Sequence, residues 1–225
     1  MNLRGLKVRS SPVALHEPPD DELVASATEG NAAAFEKLMR RYNQRVFRAA
    51  RSVVRNDAEA EDVVQETFVR AYRHLASFEG RASIATWLTR IAVHEGYARL
   101  RRARLFDADE EASSRVRSTR AGPEEQVSSR ELRAVLVTAI DSLPEGLRTV
   151  FVLRDVEGMS TLETSEVLEL TPEAVRVRLH RARAALRLRV EKGLGVEVRG
   201  LFWFAAERCD RTVAEVFRRL ELPLP

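Results

Sequence analysis

Apolar residues in this chain recur at intervals of three and four along most of its length, and runs of strict alternation are hard to find. That period belongs to helices buried on one side. A first helix is expected from Asp20 or Asp21, either of which can cap it, through Leu23, Val24 and Ala27 to about Gly30. Ala34, Phe35, Leu38, Tyr42, Val46, Phe47 and Ala50 predict a long amphipathic second helix, and Asn56 and Asp57 mark the break after it. A third runs through "AEAEDVVQETFVRAYRHLA", burying Val63, Val64 and Phe68 together with Tyr72 or Leu75. After "SFEGRAS" a fourth begins near Ile84 and continues through "TWLTRIAVHEGYARLRR".

The pattern then stops. Residues 105–126, "LFDADEEASSRVRSTRAGPEEQ", mix acidic residues, Ser and Arg with a Gly-Pro pair and read as a flexible linker. Helical periodicity resumes in "SSRELRAVLVTAIDSL", "EGLRTVFVLRDVEG", "TLETSEVL" and "PEAVRVRLHRARAALRLRV". A last amphipathic stretch, "LFWFAAERCDRTVAEVFRRLEL", carries Leu201, Phe202, Phe204, Ala205, Cys209, Val213, Val216, Phe217 and Leu220 on its apolar side. The expected fold is all-α. Residues 1–19 form a flexible arm, 20–104 and 127–192 form two small helical domains joined by the linker, and 193–225 form a helical extension. The simplest expectation for that extension is that it folds back on the second domain.

The second domain carries a short helix, a tight turn and a longer Arg-rich helix, the arrangement a reader of the DNA major groove needs. Thr171 is placed to cap the longer helix, and Pro172 occupies its first position, where a missing N–H costs nothing. Val175, Leu179, Ala182 and Leu186 share the inner face. Glu173, Arg176, Val177, His180, Arg181, Ala184 and Arg187 share the outer face and its flanks. An Arg at the groove-facing start of such a helix, here Arg176, can bond two acceptors of one guanine. Arginines further along meet phosphates, which fix position without reading sequence.

Net charge, only +3, does not identify a nucleic-acid binder, so the placement of the arginines has to. Cys209 is the only cysteine and the four histidines lack ligand spacing, so neither a disulfide framework nor a metal site is expected, and no cofactor. No apolar run approaches the roughly 20 residues needed to cross a bilayer. The N-terminal stretch has no continuous apolar segment of the secretory kind, so a cytoplasmic location is expected.

Two stretches together resemble a known family. "DAEAEDVVQETFVRAYRHLASFEG" with "TWLTRIAV" and "LRRAR" is similar to the second region of extracytoplasmic-function (ECF) sigma factors. "LPEGLRTVFVLRDVEGMSTLETSEVLELTPEAVRVRLHRARAALR" is similar to their fourth region. The resemblance implies a non-enzymatic subunit that brings RNA polymerase to promoters. Asp57, Glu61, Asp62, Gln65, Glu66 and Phe68 would dock on the β′ clamp helices, and the fourth region on the β flap. Phe78, Glu79, Gly80, Arg81, Ser83 and Trp87, followed by the helical stripe Arg90, His94, Tyr97 and Arg101, would take the minus-10 element as a melted strand. Glu173, Arg176, Val177, His180, Arg181 and Arg183 would read the minus-35 duplex. An anti-sigma protein is the further partner implied, and membrane insertion is not.

The residues themselves agree with that division. Asp62 and Glu66 share one helix face, as do Glu61 and Gln65, giving an acidic stripe that repels DNA and suits basic groups on a protein. Four positions depart from the family pattern. Glu169 stands in the turn where Gly is usual, and positive φ there costs a non-Gly residue about 1 kcal/mol. Thr164 and Ser165 replace small apolar residues, and His94 stands where Asn is common. A helix-turn-helix regulator would leave the acidic helix and the "TWL" segment without work. A phosphohydrolase holding Mg²⁺ on Asp57, Glu61, Asp62 and Glu66 would lack a completing ligand set.

Overall fold

The structure is a computed structural model and describes residues 17–107, 127–190 and 206–223. The first 16 residues of the expected arm, most of the expected linker, and Leu201, Phe202, Phe204 and Ala205 of the tail lie outside the described residues. Nine α-helices are present among those described: α1 (Asp20–Thr28), α2 (Ala32–Val54), α3 (Asp57–His74), α4 (Ile84–Asp107), α5 (Val127–Asp141), α6 (Glu145–Phe151), α7 (Thr161–Leu168), α8 (Pro172–Val190) and α9 (Ala206–Arg219). The all-α expectation is met.

The first helix does not start as expected. Its cap position is Pro19, which has no capping side chain. The Asp20 carboxylate is instead drawn to Arg41, 2.6 Å away, and to the Tyr42 hydroxyl, so a tertiary ion pair outcompetes the local cap. Asn31 and Asn56 do cap α2 and α3, accepting from Ala34 N and Glu59 N.

α2 is the axis of the first half, with α1, α3 and α4 packed around it. Phe35 meets Phe68 edge-on with ring centroids 6.4 Å apart and Tyr72 at 4.9 Å. α2 and α4 cross closely at Gly96, where an added Cβ would lie 3.1 Å from the Val53 side chain. In the second half α6 and α8 enclose Ile140, Leu143, Val150, Val152, Val156, Val175, Leu179 and Ala182. A π turn, Val152–Val156, continues from α6. It sends Val152 and Val156 into that core while Leu153 points the other way.

The halves pack on each other. Leu153, Met159 and Val167 of the second half join the core of the first. Arg51, buried in α2, holds Asp57 at 2.7 Å and both oxygens of Asp141 at 2.9 and 2.8 Å. Arg48 meets Glu157 at 3.0 Å, and Arg104 meets Glu145 at the same distance. Arg148, 1% exposed, threads its guanidinium to the carbonyls of Ser52 and Val53 at the end of α2.

The extension also departs from expectation. α9 seats Val213, Val216 and Phe217 against α3 and α2, in the first half rather than the second. A strong apolar face fixes that the helix docks, but it does not say which of two helical units has the complementary charge.

Candidate nucleic-acid and partner interfaces

The acidic face of α3 is already neutralised from within. Asp57 lies between Arg51 and Arg208, the latter 3.2 Å away. Glu61 takes Arg208 at 3.2 Å and Arg211 at 3.3 Å, and Glu66 takes Arg219 at 2.6 Å. Asp62, more exposed, pairs with Arg99 of α4 at 2.8 Å, and the same guanidinium reaches Glu59 at 2.9 Å. Gln65 is half-buried at the edge of a groove it shares with Asp62, Glu66, Arg99, Arg102 and Arg219. Phe68 does not belong to this surface. At 0% exposure it is a core residue, because the third helix turns that position inward against Phe35. Among the described residues no three His, Cys, Asp or Glu side chains converge to hold a metal ion.

The loop before α4 is built around Gly80 at φ 69°, a conformation that side-chain-bearing residues rarely adopt. Phe78 and Trp87 are half-buried and face each other with centroids 5.3 Å apart, resting on the first core. Glu79 and Arg81 are exposed and paired to each other. Ser83 is a helix cap: its hydroxyl accepts from Thr86 N at 3.1 Å and donates to Thr86 Oγ1 at 2.9 Å. Thr86 in turn donates to Glu163 of α7 at 3.1 Å, so the loop is wired to the second half.

The stripe on α4 is partly covered by α7. Arg90 lies 3.2 Å from Glu169, and His94 Nε2 lies 3.6 Å from it. Tyr97 turns inward toward Thr149, and burial pushes its hydroxyl above the usual tyrosine range despite that contact. Arg101, like Arg90, is exposed. The expected face therefore exists, but in this closed arrangement Tyr97 is turned inward and Arg90 and His94, though still open to solvent, border Glu169 of the second half.

The helix-turn-helix is formed as its residues direct. Ser160 and Glu163 make a reciprocal capping box at the start of α7, whose signature S-x-x-E stands in "STLE". The Ser160 backbone N–H, then the rest of that box, holds the Glu163 carboxyl below the usual carboxylate range. Thr164 and Ser165 are buried, with their hydroxyls returned to the carbonyls of Ser160 and Leu162. Thr171 caps α8 by accepting from Ala174 N at 3.1 Å. Val175, Leu179, Ala182 and Leu186 face the second core, while Glu173, Arg176, Val177, His180, Arg181, Arg183, Ala184 and Arg187 are exposed. Arg176 pairs with Glu173 one turn back, and Arg183 makes a forked pair with Asp155 at 2.6 and 2.8 Å.

Sequence reasoning missed Arg154. It lines an open groove along α8 with Thr161, Arg176, His180, Arg183 and Arg187. Its Nε is buried without a hydrogen-bond partner among the described residues. The signal was weak, since "VLRD" reads as ordinary helix until the π turn brings residue 154 beside α8. The arginines of α9 were likewise missed.

Glu169 ends α7 at φ 53°, ψ 46°, the left-handed conformation expected for this turn. Glu169→Gly is expected to raise stability by about 1 kcal/mol, because relief of the left-handed strain exceeds the loss of an exposed pair with Arg90. Urea unfolding measures it, with Glu169→Ala, which loses the pair and keeps the strain, as the control expected to fall below the parent.

Residues 38–106 match the family described as Sigma-70 region 2, and residues 133–186 match Sigma-70, region 4. The ECF RNA polymerase sigma-E factor of Escherichia coli K12 is 35% identical over 181 residues, covering 76% of this chain and 94% of that protein. The RNA polymerase sigma-H factor of Pseudomonas aeruginosa is 33% identical over the same length and shares. Among solved structures, CnrH in complex with the cytosolic domain of CnrY matches at 30% identity with a TM-score of 0.58, covering 78% of this chain and 99% of that one. The sigma factor RpoE of Bartonella quintana, solved with the anti-sigma factor NepR, shares the fold at 20% identity and a TM-score of 0.55, with 75% and 99% covered. With both regions matched in order and relatives covered almost end to end, the chain belongs to the ECF family of RNA polymerase sigma factors.

Proposed function

We propose that this alternative sigma factor docks on the β′ clamp helices of core polymerase through Asp57, Glu61, Asp62, Gln65 and Glu66, and on the β flap through its second half. Phe78–Trp87 and the α4 stripe then take the minus-10 element as a melted strand, and α8 reads the minus-35 duplex. The residue ranges 20–104 and 127–192 are the two working units. Catalysis stays with the polymerase.

One observation supports this most directly. The outer face of a properly capped α8 is exposed and cationic, while an acidic face on α3 is built to receive cations. Two surfaces of opposite sign on one small chain suit an adaptor between DNA and a basic protein surface. Holding two promoter elements at once requires the halves to part, which frees Arg90 and His94 from Glu169. A protein partner of the anti-sigma kind, with release in a stress or envelope response, completes the proposal; the similar CnrH was solved with the cytosolic domain of CnrY, and RpoE with the anti-sigma factor NepR.

Run-off transcription with reconstituted polymerase tests the assignment. Arg176→Ala is expected to weaken minus-35 discrimination by roughly 10- to 100-fold, the loss of one forked guanine contact, with core binding unchanged. Asp62→Ala is expected to weaken holoenzyme assembly instead. Equal effects of both on core binding contradict the proposal.

A further inference from the structure

We propose that α9 is a built-in occupant of the polymerase-docking face of α3, so that the chain competes with core polymerase for its own binding surface. This rests on the assignment of that face to the polymerase. It goes further by naming what covers the face when polymerase is absent.

Three of the five polar residues assigned to docking are paired by α9. Arg208 reaches Asp57 and Glu61 at 3.2 Å each, Arg211 reaches Glu61 at 3.3 Å, and Arg219 reaches Glu66 at 2.6 Å. A clamp of basic residues needs the same carboxylate oxygens, so the two cannot be bound together. The helix is seated, not merely adjacent. Thr212, Val213, Val216 and Phe217 are at most 3% exposed, and Arg208 also lies over the Phe47 ring at 5.8 Å. Behind the arginines, Asn43 of α2 donates to the Cys209 sulfur at 2.7 Å, and Arg40 meets Asp210 at 2.6 Å.

The division of labour within α9 follows from these contacts. Exposed ion pairs contribute little individually, so the buried apolar side holds the helix, and the arginines select which surface it covers. Because α9 belongs to the same chain, its competition is unimolecular and does not dilute away. α9 also lies beyond both family matches, which end at residues 106 and 186. The occupant is thus an addition to the family's two regions rather than part of them.

Only chains with α9 displaced bind polymerase, so the apparent affinity falls by the displaced fraction. The test is the dissociation constant of the full-length chain for core polymerase, comparing the parent with Arg208→Glu/Arg211→Glu/Arg219→Glu. Charge reversal leaves the α3 face intact and drives α9 off it, and on the order of tenfold tighter binding is expected. Unchanged or weaker binding by the folded variant overturns the proposal. If that variant fails to fold, hydrogen exchange on the parent decides: α9 amides protected in the free chain must lose protection on binding core polymerase, and retained protection overturns it equally. Failure of the parent and variant alike to bind core polymerase at any concentration removes the docking assignment itself. Equal binding by both removes only α9.

Discussion

Replacing Arg148 by Met is expected to lower the unfolding free energy by about 3 kcal/mol. The side chain is 1% exposed and donates to four backbone carbonyls: Ser52 at 2.5 Å, Leu143 at 3.0 Å, Val53 at 3.1 Å and Asp141 at 3.4 Å. Ser52 and Val53 lie in the last turn of α2, where carbonyls have no partner within the helix and the dipole is negative. Met fills similar space and donates nothing, so the Val53 oxygen loses its donor in a dry interface and the Ser52 oxygen keeps only the Thr149 hydroxyl at 3.4 Å. Relief from burying a charge offsets part of that loss. Burial, with Arg55 adding repulsion, lowers the Arg148 pKa from the ordinary guanidinium range to about 10. Below pH 10 both folded and unfolded chains carry the proton, so the contribution is flat between about pH 6 and 9. Above about pH 10 the folded chain releases this proton while the unfolded chain still holds it, and this residue's linkage makes stability rise with pH. Urea unfolding gives the energy and small-angle scattering the separation of the halves; an unchanged midpoint would contradict this role.

Phe68→Ala is expected to cost about 3–5 kcal/mol, the range for removing a buried phenyl ring from a packed core. The residue is 0% exposed and its ring meets Phe35 across the contact between α2 and α3. A residue on the docking surface would behave oppositely, with native stability and weakened polymerase affinity. Denaturation midpoints of the free chain separate the two roles without polymerase. A loss under about 1 kcal/mol would return Phe68 to the surface.

Features set by neighbours along the chain are legible in the sequence. Thr171 and Pro172 start α8 where expected, Asn56 marks the break before α3, and Glu169 takes the left-handed turn, because each depends on backbone groups within four residues. Features set by distant partners are not. Asp20 has the chemistry of a cap and spends its carboxylate on Arg41 and Tyr42. Phe68 sits among acidic residues in the sequence, yet the packing of α2 against α3 buries it on Phe35. The site divides the same way. The outer face of α8 reads directly from spacing, whereas Arg154 needs the π turn, and the coverage of α3 by α9 needs a charge match across roughly 150 residues.

Leu153, Met159 and Val167, supplied by one half to the core of the other, set a condition on the factor's life in the cell. When the halves part without polymerase to receive them, these side chains meet water and become the kind of greasy surface that chaperones and proteases sample. If promoter binding parts the halves as proposed, an opened molecule without polymerase would expose these three side chains and be open to turnover.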